Sequence, residues 1–235
     1  MRRLIGVLHI DSAGTWRGGQ QQVLYLAERL TDYHNIVVCP PQSPLTEKAK
    51  AAGIEVLPVR MRGEWDILAV HKLRRIIKEN SIKIVHVHSP HAHALGLLAG
   101  KSAGNCKVVL SRRVDFPIRK NILSRLKYFN IDRIIAISEG VKRALMADGL
   151  AEEKIDVIYS GVDIERFQGV GADYLFSQLV LNRYMLRIGN IAGLTWEKGH
   201  RTLLNAARIV VDQIPGVVFL IAGEGPLRRE IEILI

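Results

Sequence analysis

The chain has 235 residues, 48% of them hydrophobic, enough to bury a sizeable core and to exclude a disordered segment. Lys and Arg number 33 against 23 Asp and Glu, and the net charge of +10 favours an anionic partner: nucleotide, phospholipid surface or nucleic acid. The two cysteines, Cys39 and Cys106, stand far apart in apolar runs, which excludes a disulfide framework and points to a reducing, cytoplasmic setting.

In chain order, the opening "MRRLIGVLHID" is too short in apolar residues for a signal peptide and reads as a first strand over 4–10. Further strand-like runs follow at 36–39, 55–59, 83–88, 107–111, 133–137 and 156–159. Helical patterns lie between most of them, at 20–30, 45–52, 67–79, 91–103, 120–129 and 139–147. In 67–79, Val70, Leu73, Ile76 and Ile77 share one side and Lys72, Arg74, Arg75 and Lys78 mostly the other. Strands apolar on both faces and separated by helices predict a doubly wound parallel α/β domain over 1–167. The longest stretch free of Asp, Glu, Lys and Arg, 84–100, holds four histidines and a proline, so it is no membrane span.

A glycine-marked linker is expected over 168–183, with a short helix in "DYLFSQLVL". The strand–helix rhythm restarts at 184: "YMLRIGNI", a helix over 198–214, the strand "VVFLIAG" and a last helix with Pro226 near its first turn. Residues 184–235 are few for an independent domain, so this second unit is expected to be incomplete.

Three clusters carry candidate chemistry. After the first strand, "GTWRGG" leads into a helix with Gly18 and Gly19 at its start; this suits an anion held by first-turn N–H groups, and equally a plain strand-to-helix turn. "HVHSPHAH" puts His86 and His88 on one face of a strand and His91 and His93 at the start of the next helix. With no cysteine or carboxylate beside them, no metal is expected, and ligand contact at the strand's carboxyl end is the better reading. The basic positions Arg119, Lys120, Arg125 and Lys127 read first as a solvated face and second as peripheral contact with an anionic membrane.

"IIAISEGVKRALMADGLAEEKIDVIYSGVDIERF" resembles the segment that leads into the interdomain linker of glycosyltransferase family 4, with Ser138, Gly149, Lys154, Gly161-Val162-Asp163 and Phe167 at the family's positions. "IGNIAGLTWEKGHRTLLNAARIV" resembles the family's first strand–loop–helix of the nucleotide domain, and "VVFLIAGEGPLRREIE" its second strand and Gly-x-Gly-Pro turn. The resemblance implies a GT-B-like pair of Rossmann-like domains. It implies a retaining transferase that moves a sugar from a nucleotide-diphosphate sugar to a lipid-linked or cell-surface glycan, in the cytoplasm or at the inner face of the membrane. The nucleotide-sugar is then a co-substrate, and no cofactor is expected. Gly18, Gly19 and Lys198 take the donor-phosphate roles, Gly199 keeps the turn tight, and Gly223, Glu224 and Gly225 border the nucleotide; an ordinary turn explains the last three equally.

The chain departs from the pattern at Gly193, where the family has a phosphate-contacting arginine, so that one of two expected cations is missing or is replaced by another residue such as Arg17. Arg113 stands where many members have a sugar-contacting histidine. Arg112 and Arg113 then suit an acidic or phosphorylated acceptor, or are surface charges, and His88 and His91 are the expected acceptor or sugar contacts. The family's acidic Glu-x7-Glu motif is expected beyond Ile235, so an inactive fragment with at most weak nucleotide or anion binding is the alternative. Dinucleotide-dependent redox chemistry is disfavoured because "GTWRGG" lacks Gly-x-Gly-x-x-Gly. Nucleic-acid binding rests on charge alone, with 6% aromatic residues and no recognition motif.

Overall fold

A computed structural model describes residues 4–119, 121–169, 171, 178–179 and 185–235. The chain forms two compact units, Met1–Val162 and Asp163–Ile235. The predicted helix over 173–181, apart from residues 178 and 179, lies outside the described residues, as do Lys120, Tyr184 and most of the predicted linker.

In the first unit, strands β1 (Ile5–Ile10), β2 (Tyr33–Val38), β3 (Glu55–Val56), β4 (Ile82–Val87), β5 (Lys107–Arg112), β6 (Arg133–Ala136) and β7 (Ile155–Val157) alternate with six helices. These are α1 (Gly18–Arg29), α2 (Pro44–Ala51), α3 (Ile67–Glu79), α4 (Pro90–Ala103), α5 (Ile122–Phe129) and α6 (Glu139–Ala147). The strands make one parallel sheet in the order β3-β2-β1-β4-β5-β6-β7. This is the doubly wound, Rossmann-like arrangement that the alternation predicts.

Burial on both faces explains the sheet's apolar strands. Leu8, Ile10, Ile36, Val38, Val85 and Val87 pack with Ala69, Leu73 and Ile77 of α3 and Leu95 of α4. On the opposite face Val37 and Cys39 pack with Val23, Leu24 and Ala27 of α1 and Leu45 and Ala49 of α2. Helix α4 lies so close to the sheet that a Cβ on Gly96 would stand 2.4 Å from Val87 Cγ1, which is why a glycine occupies the middle of that helix. Helix starts are marked by side-chain caps: Asp66 accepts from the Ala69 N–H at 3.0 Å, Asn121 from Ser124 at 2.7 Å and Ser138 from Val141 at 3.2 Å.

Element ends differ from the sequence reading for local reasons. β3 is regular only over Glu55–Val56 rather than to 59, although the Leu57 and Val59 N–H groups still donate to the Val37 and Cys39 carbonyls at 3.0 Å, and Pro58 takes the alternate position that needs no donor on an edge strand. α4 begins one residue early because Pro90 suits the first helical position, and α5 begins at Ile122 because Asn121 caps it. α1 begins at Gly18, two residues before the apolar periodicity becomes visible.

In the second unit β8 (Leu186–Ile191) pairs in parallel with β9 (Val217–Ala222), with Leu186 opposite Val217 and Ile191 opposite Ala222. A single 3-10 turn, Trp196–Lys198, precedes α7 (His200–Gln213), and α8 (Arg228–Leu234) follows β9. Among the described residues no helix is long and apolar enough to cross a membrane.

Candidate functional site

The sheet order reverses direction between β1 and β4, and in such sheets the crevice at the carboxyl ends of those two strands is the place for a ligand. The β1–α1 connection passes over that point. Asp11 is fully buried and accepts from the Ala13 N–H at 2.7 Å and from Gln20 Nε2 at 3.0 Å, fixing the loop's two ends to each other. Gln20 in turn accepts the Arg17 N–H at 3.1 Å through Oε1. Ser12 ties the loop to the β4–α4 connection: its N–H donates to Ser89 Oγ at 2.8 Å and its hydroxyl lies 2.8 Å from the same oxygen.

Gly18 and Gly19 are thus the first two residues of a twelve-residue helix rather than loop residues. Neither has a positive φ. A Cβ on Gly18 would meet nothing within 4 Å, and one on Gly19 would meet only Arg113 Cδ at 3.9 Å. Here the glycines relieve no crowding inside the protein; they leave open space before the free N–H groups of α1, with Arg113 at its edge. A helix N-terminus beside a guanidinium is a setting for an anion.

Arg113 is held by histidines. Its NH2 lies 3.3 Å from His88 Nδ1 and its NH1 donates to the His88 carbonyl at 3.4 Å, while Nε is buried without a partner. An arginine only donates, so His88 Nδ1 accepts and the ring proton sits on Nε2, which faces His9 Nδ1 at 3.3 Å. His9 then carries its proton on Nε2 and donates to Asn35 Oδ1 at 3.1 Å. The Asn35 amide is fixed in turn by donating to the Leu30 carbonyl at 2.7 Å. One direction of donation runs from Arg113 through His88 and His9 to Asn35, with both rings neutral. Burial pushes His9 down to about 4 and holds His86 and His88 well below the ordinary histidine value. Burial also lowers the Arg113 guanidinium, and the Asp11 charge opposes that shift.

His86 joins the stacked His9 and His88 rings as a third, tilted ring. Its ring centroid is 4.0 Å from that of His88 and 5.6 Å from that of His9, its register partner in the sheet, and Nε2 meets Ser111 Oγ at 2.8 Å. Ring nitrogens of His9, His86 and His88 all fall within 4.8 Å of one another, so these three are the residues placed to hold a metal. The donor set argues for the hydrogen-bonded chain instead: both nitrogens of His9 and of His88 are engaged, and a guanidinium stands against the cluster, opposing a dication.

The sequence-predicted residues therefore separate. His88 and Arg113 come together beside Gly19. His91 is exposed at the first turn of α4, and the histidine that joins His86 and His88 is His9, which sequence reasoning missed. A lone histidine in an apolar strand reads as core; only the pairing of β1 with β4 reveals it. Arg112 turns towards α5, donating to Tyr128 Oη at 2.8 Å and to the Phe116 carbonyl. His93 is buried against Tyr128, edge to face at 4.8 Å, and burial pushes it to about 4. Arg17 is exposed.

In the second unit Lys198 is exposed at the end of the 3-10 turn, and Gly199 follows in the left-handed region at φ +68°, which a glycine adopts without strain. Gly223 and Gly225 are required by packing. A Cβ there would lie 1.9 Å from the Ala192 carbonyl oxygen and 2.4 Å from that of Leu194. The two connections lock through Leu194 N–H to the Glu224 carbonyl at 2.9 Å and Leu227 N–H to the Leu194 carbonyl at 3.1 Å. The Glu224 side chain points to Arg228. His200, also missed, is buried and meets the Gly193 carbonyl at 3.0 Å through Nε2, tying the loop to α7.

A family model, Glycosyltransferase Family 4, matches residues 16–166. The phosphatidyl-myo-inositol mannosyltransferase of Mycolicibacterium smegmatis is 29% identical over 221 residues, covering 88% of this chain and 55% of that protein. The UDP-Gal:alpha-D-GlcNAc-diphosphoundecaprenol alpha-1,3-galactosyltransferase of Escherichia coli is 24% identical over 83% of this chain and 55% of its own. The chain thus spans about half the length of the curated relatives it matches. Among solved structures, HepE of Anabaena in complex with UDP-glucose superposes with a TM-score of 0.83 at 18% identity, over 98% of this chain and 65% of that one. A glycosyltransferase from Rickettsia africae gives 0.81 at 20% identity, over 100% and 65%. The latter two show the fold.

Proposed function

Because this chain belongs to glycosyltransferase family 4, we propose that it serves sugar transfer from a nucleotide-diphosphate sugar to a lipid-linked or cell-surface glycan, with retention at the anomeric carbon. The bond from that carbon to the diphosphate oxygen breaks, a bond to the acceptor oxygen forms on the same face, and the acceptor's proton leaves with the diphosphate. The observation that carries the reading is a cation-flanked opening before α1: a Cβ at Gly18 would meet no protein atom within 4 Å, and one at Gly19 only the half-buried Arg113. In the second unit Lys198 stands on the connection after the first strand, where it would neutralise the departing diphosphate. A folded, tightly packed turn at Gly223–Gly225 gives Lys198 a rigid neighbouring loop.

The relatives support the donor and acceptor classes. HepE was solved with UDP and with UDP-glucose, and the two relatives' names carry a phosphatidylinositol and a diphosphoundecaprenol acceptor. Arg113 then meets an anionic group on the donor or acceptor, and the His88–His9–Asn35 chain positions it. On this reading the transferase works on the cytoplasmic side, at the inner face of a membrane.

Calorimetry with UDP, GDP and their sugars tests the proposal, with sugar release followed in the same samples. Saturable binding that Lys198→Ala weakens by about tenfold or more is expected, the scale of a charge-assisted contact to phosphate. Binding without turnover by this chain favours the alternative of a nucleotide-binding fragment. Absence of binding by a folded chain overturns the transfer reading and leaves the inactive fragment.

A further inference from the structure

Helix α5 leaves most of its apolar side chains outside the core. Its buried residue is Tyr128, whereas Ile122, Leu123, Leu126 and Phe129 face outward, Ile122 at 74% exposure. The connection before it adds the exposed Val114 and Phe116. The start of α3 is held alongside, since Lys127 Nζ lies 2.6 Å from Glu64 Oε2, and just after Glu64 come Trp65, Ile67 and Leu68 at 68%, 80% and 76% exposure. Surfaces of folded proteins scatter such side chains singly, and a contiguous set marks an interaction site.

Charge identifies the occupant. Residues 114–129 carry Arg119, Lys120, Arg125 and Lys127 against a single acid, Asp115. Arg119 and Arg125 are exposed and, with Tyr128 and Phe129, line a cavity of about 240 Å³. Asp148 also lines it, but its Oδ2 already accepts the Ile118 N–H at 2.7 Å. Apolar side chains in the middle, arginines beside a hollow and an indole at the edge match the layers of an anionic bilayer: acyl boundary, phosphate headgroups and the zone where tryptophan concentrates.

We propose that α5, the connection before it and the start of α3 form a docking face for an anionic lipid bilayer, seating the first unit on the membrane that holds its acceptor. The inference deepens the reading of a lipid-linked acceptor and rests on that reading for its purpose, while its geometry stands alone.

Flotation of the 235-residue chain with phosphatidylglycerol–phosphatidylcholine vesicles, and with phosphatidylcholine alone, tests it. Preferential binding to the anionic vesicles that falls with salt is expected. Arg119→Gln with Arg125→Gln weakens it about thirtyfold, and Leu123→Gln with Leu126→Gln about tenfold or more. All four side chains are exposed, so thermal unfolding stays as in the parent and confirms that the variants fold. Equal binding to both vesicle types, or binding that neither pair alters, overturns the proposal. A dimer that the leucine pair dissolves also overturns it, making the face an interface between copies. UDP affinity measured on the same variants stays unchanged; loss of UDP binding with vesicle binding intact would sink the donor reading and leave this one standing.

Discussion

In the unit Met1–Val162 the first strand lies between β2 and β4 and has helices over both faces, so every residue of β1 after Ile5 is buried. In the unit Asp163–Ile235, among the described residues, the first strand has one neighbour, β9, and no residue of β8 is buried. Both strands are six residues long, rich in branched apolar side chains, and run through a turn into an amphipathic helix. Their local patterns are close to interchangeable, yet Leu8 is 0% exposed and Ile188 41%. Burial, and the stability that comes with it, is conferred by flanking strands and helices rather than by the strand's own composition.

Acid should separate the two units most strongly. His9 and His93, both in the first unit, have folded values lowered from 6.5 to about 4, with His86 and His88 lowered as well. The unfolded state therefore binds protons first as pH falls. The neutral rings' contribution is complete above about pH 6.5, declines below it, and is lost by about pH 4. His9 and His93 alone contribute about 3 kcal/mol apiece on this basis. Asp66, Asp132 and Glu152, whose values are lowered, begin to lose their contribution only below about pH 5, so the fall between about pH 6.5 and pH 5 belongs to the histidines. Urea midpoints of the first unit, followed by its histidine resonances, should drop steadily from pH 7 to pH 4. A midpoint flat down to pH 5 would contradict neutral, buried rings.

Core truncation comes next. Leu8→Ala is expected to cost about 3–4 kcal/mol through lost burial and a residual cavity, and Ile188→Ala about 1 kcal/mol. Hydrogen exchange of β1 and β8 amides reads the two separately. Equal losses would mean that β8 is covered as well as β1.

The glycine loops give a sharper pair at smaller cost. Gly223→Ala drives a Cβ into the Ala192 carbonyl, and loss of about 1–3 kcal/mol from the second unit is expected on differential scanning. Gly18→Ala meets open space, so the first unit should melt within about 0.5 kcal/mol of the parent while nucleotide-sugar affinity falls. Unchanged affinity in that variant would return Gly18 to the role of a turn residue.

Much of the candidate site was legible because its motifs are local. Gly18 and Gly19 at a helix start, Lys198 before a helix and the turn at 223–225 each depend on a few consecutive residues. The site's polar network was not legible. His9, Asn35, His88 and Arg113 come from four separate segments, and they meet only because β1 lies between β2 and β4, with β5 ending beside β4. Likewise Arg112 and Arg113 are adjacent in sequence but diverge, one to Tyr128 and the other to His88, since successive residues at a strand's end point to opposite faces of the sheet.

The amino-acid sequence by itself determined the alternation of strands and helices, the parallel α/β class and the family signature, because periodicity and turn chemistry act within a few residues. The strand order, the pairing of His9 with His86, the face on which Arg113 stands and the outward-turned apolar side chains of α5 were decided only in the tertiary structure. Each depends on contacts between residues far apart in the chain, and no local preference encodes which surface a neighbouring element leaves uncovered.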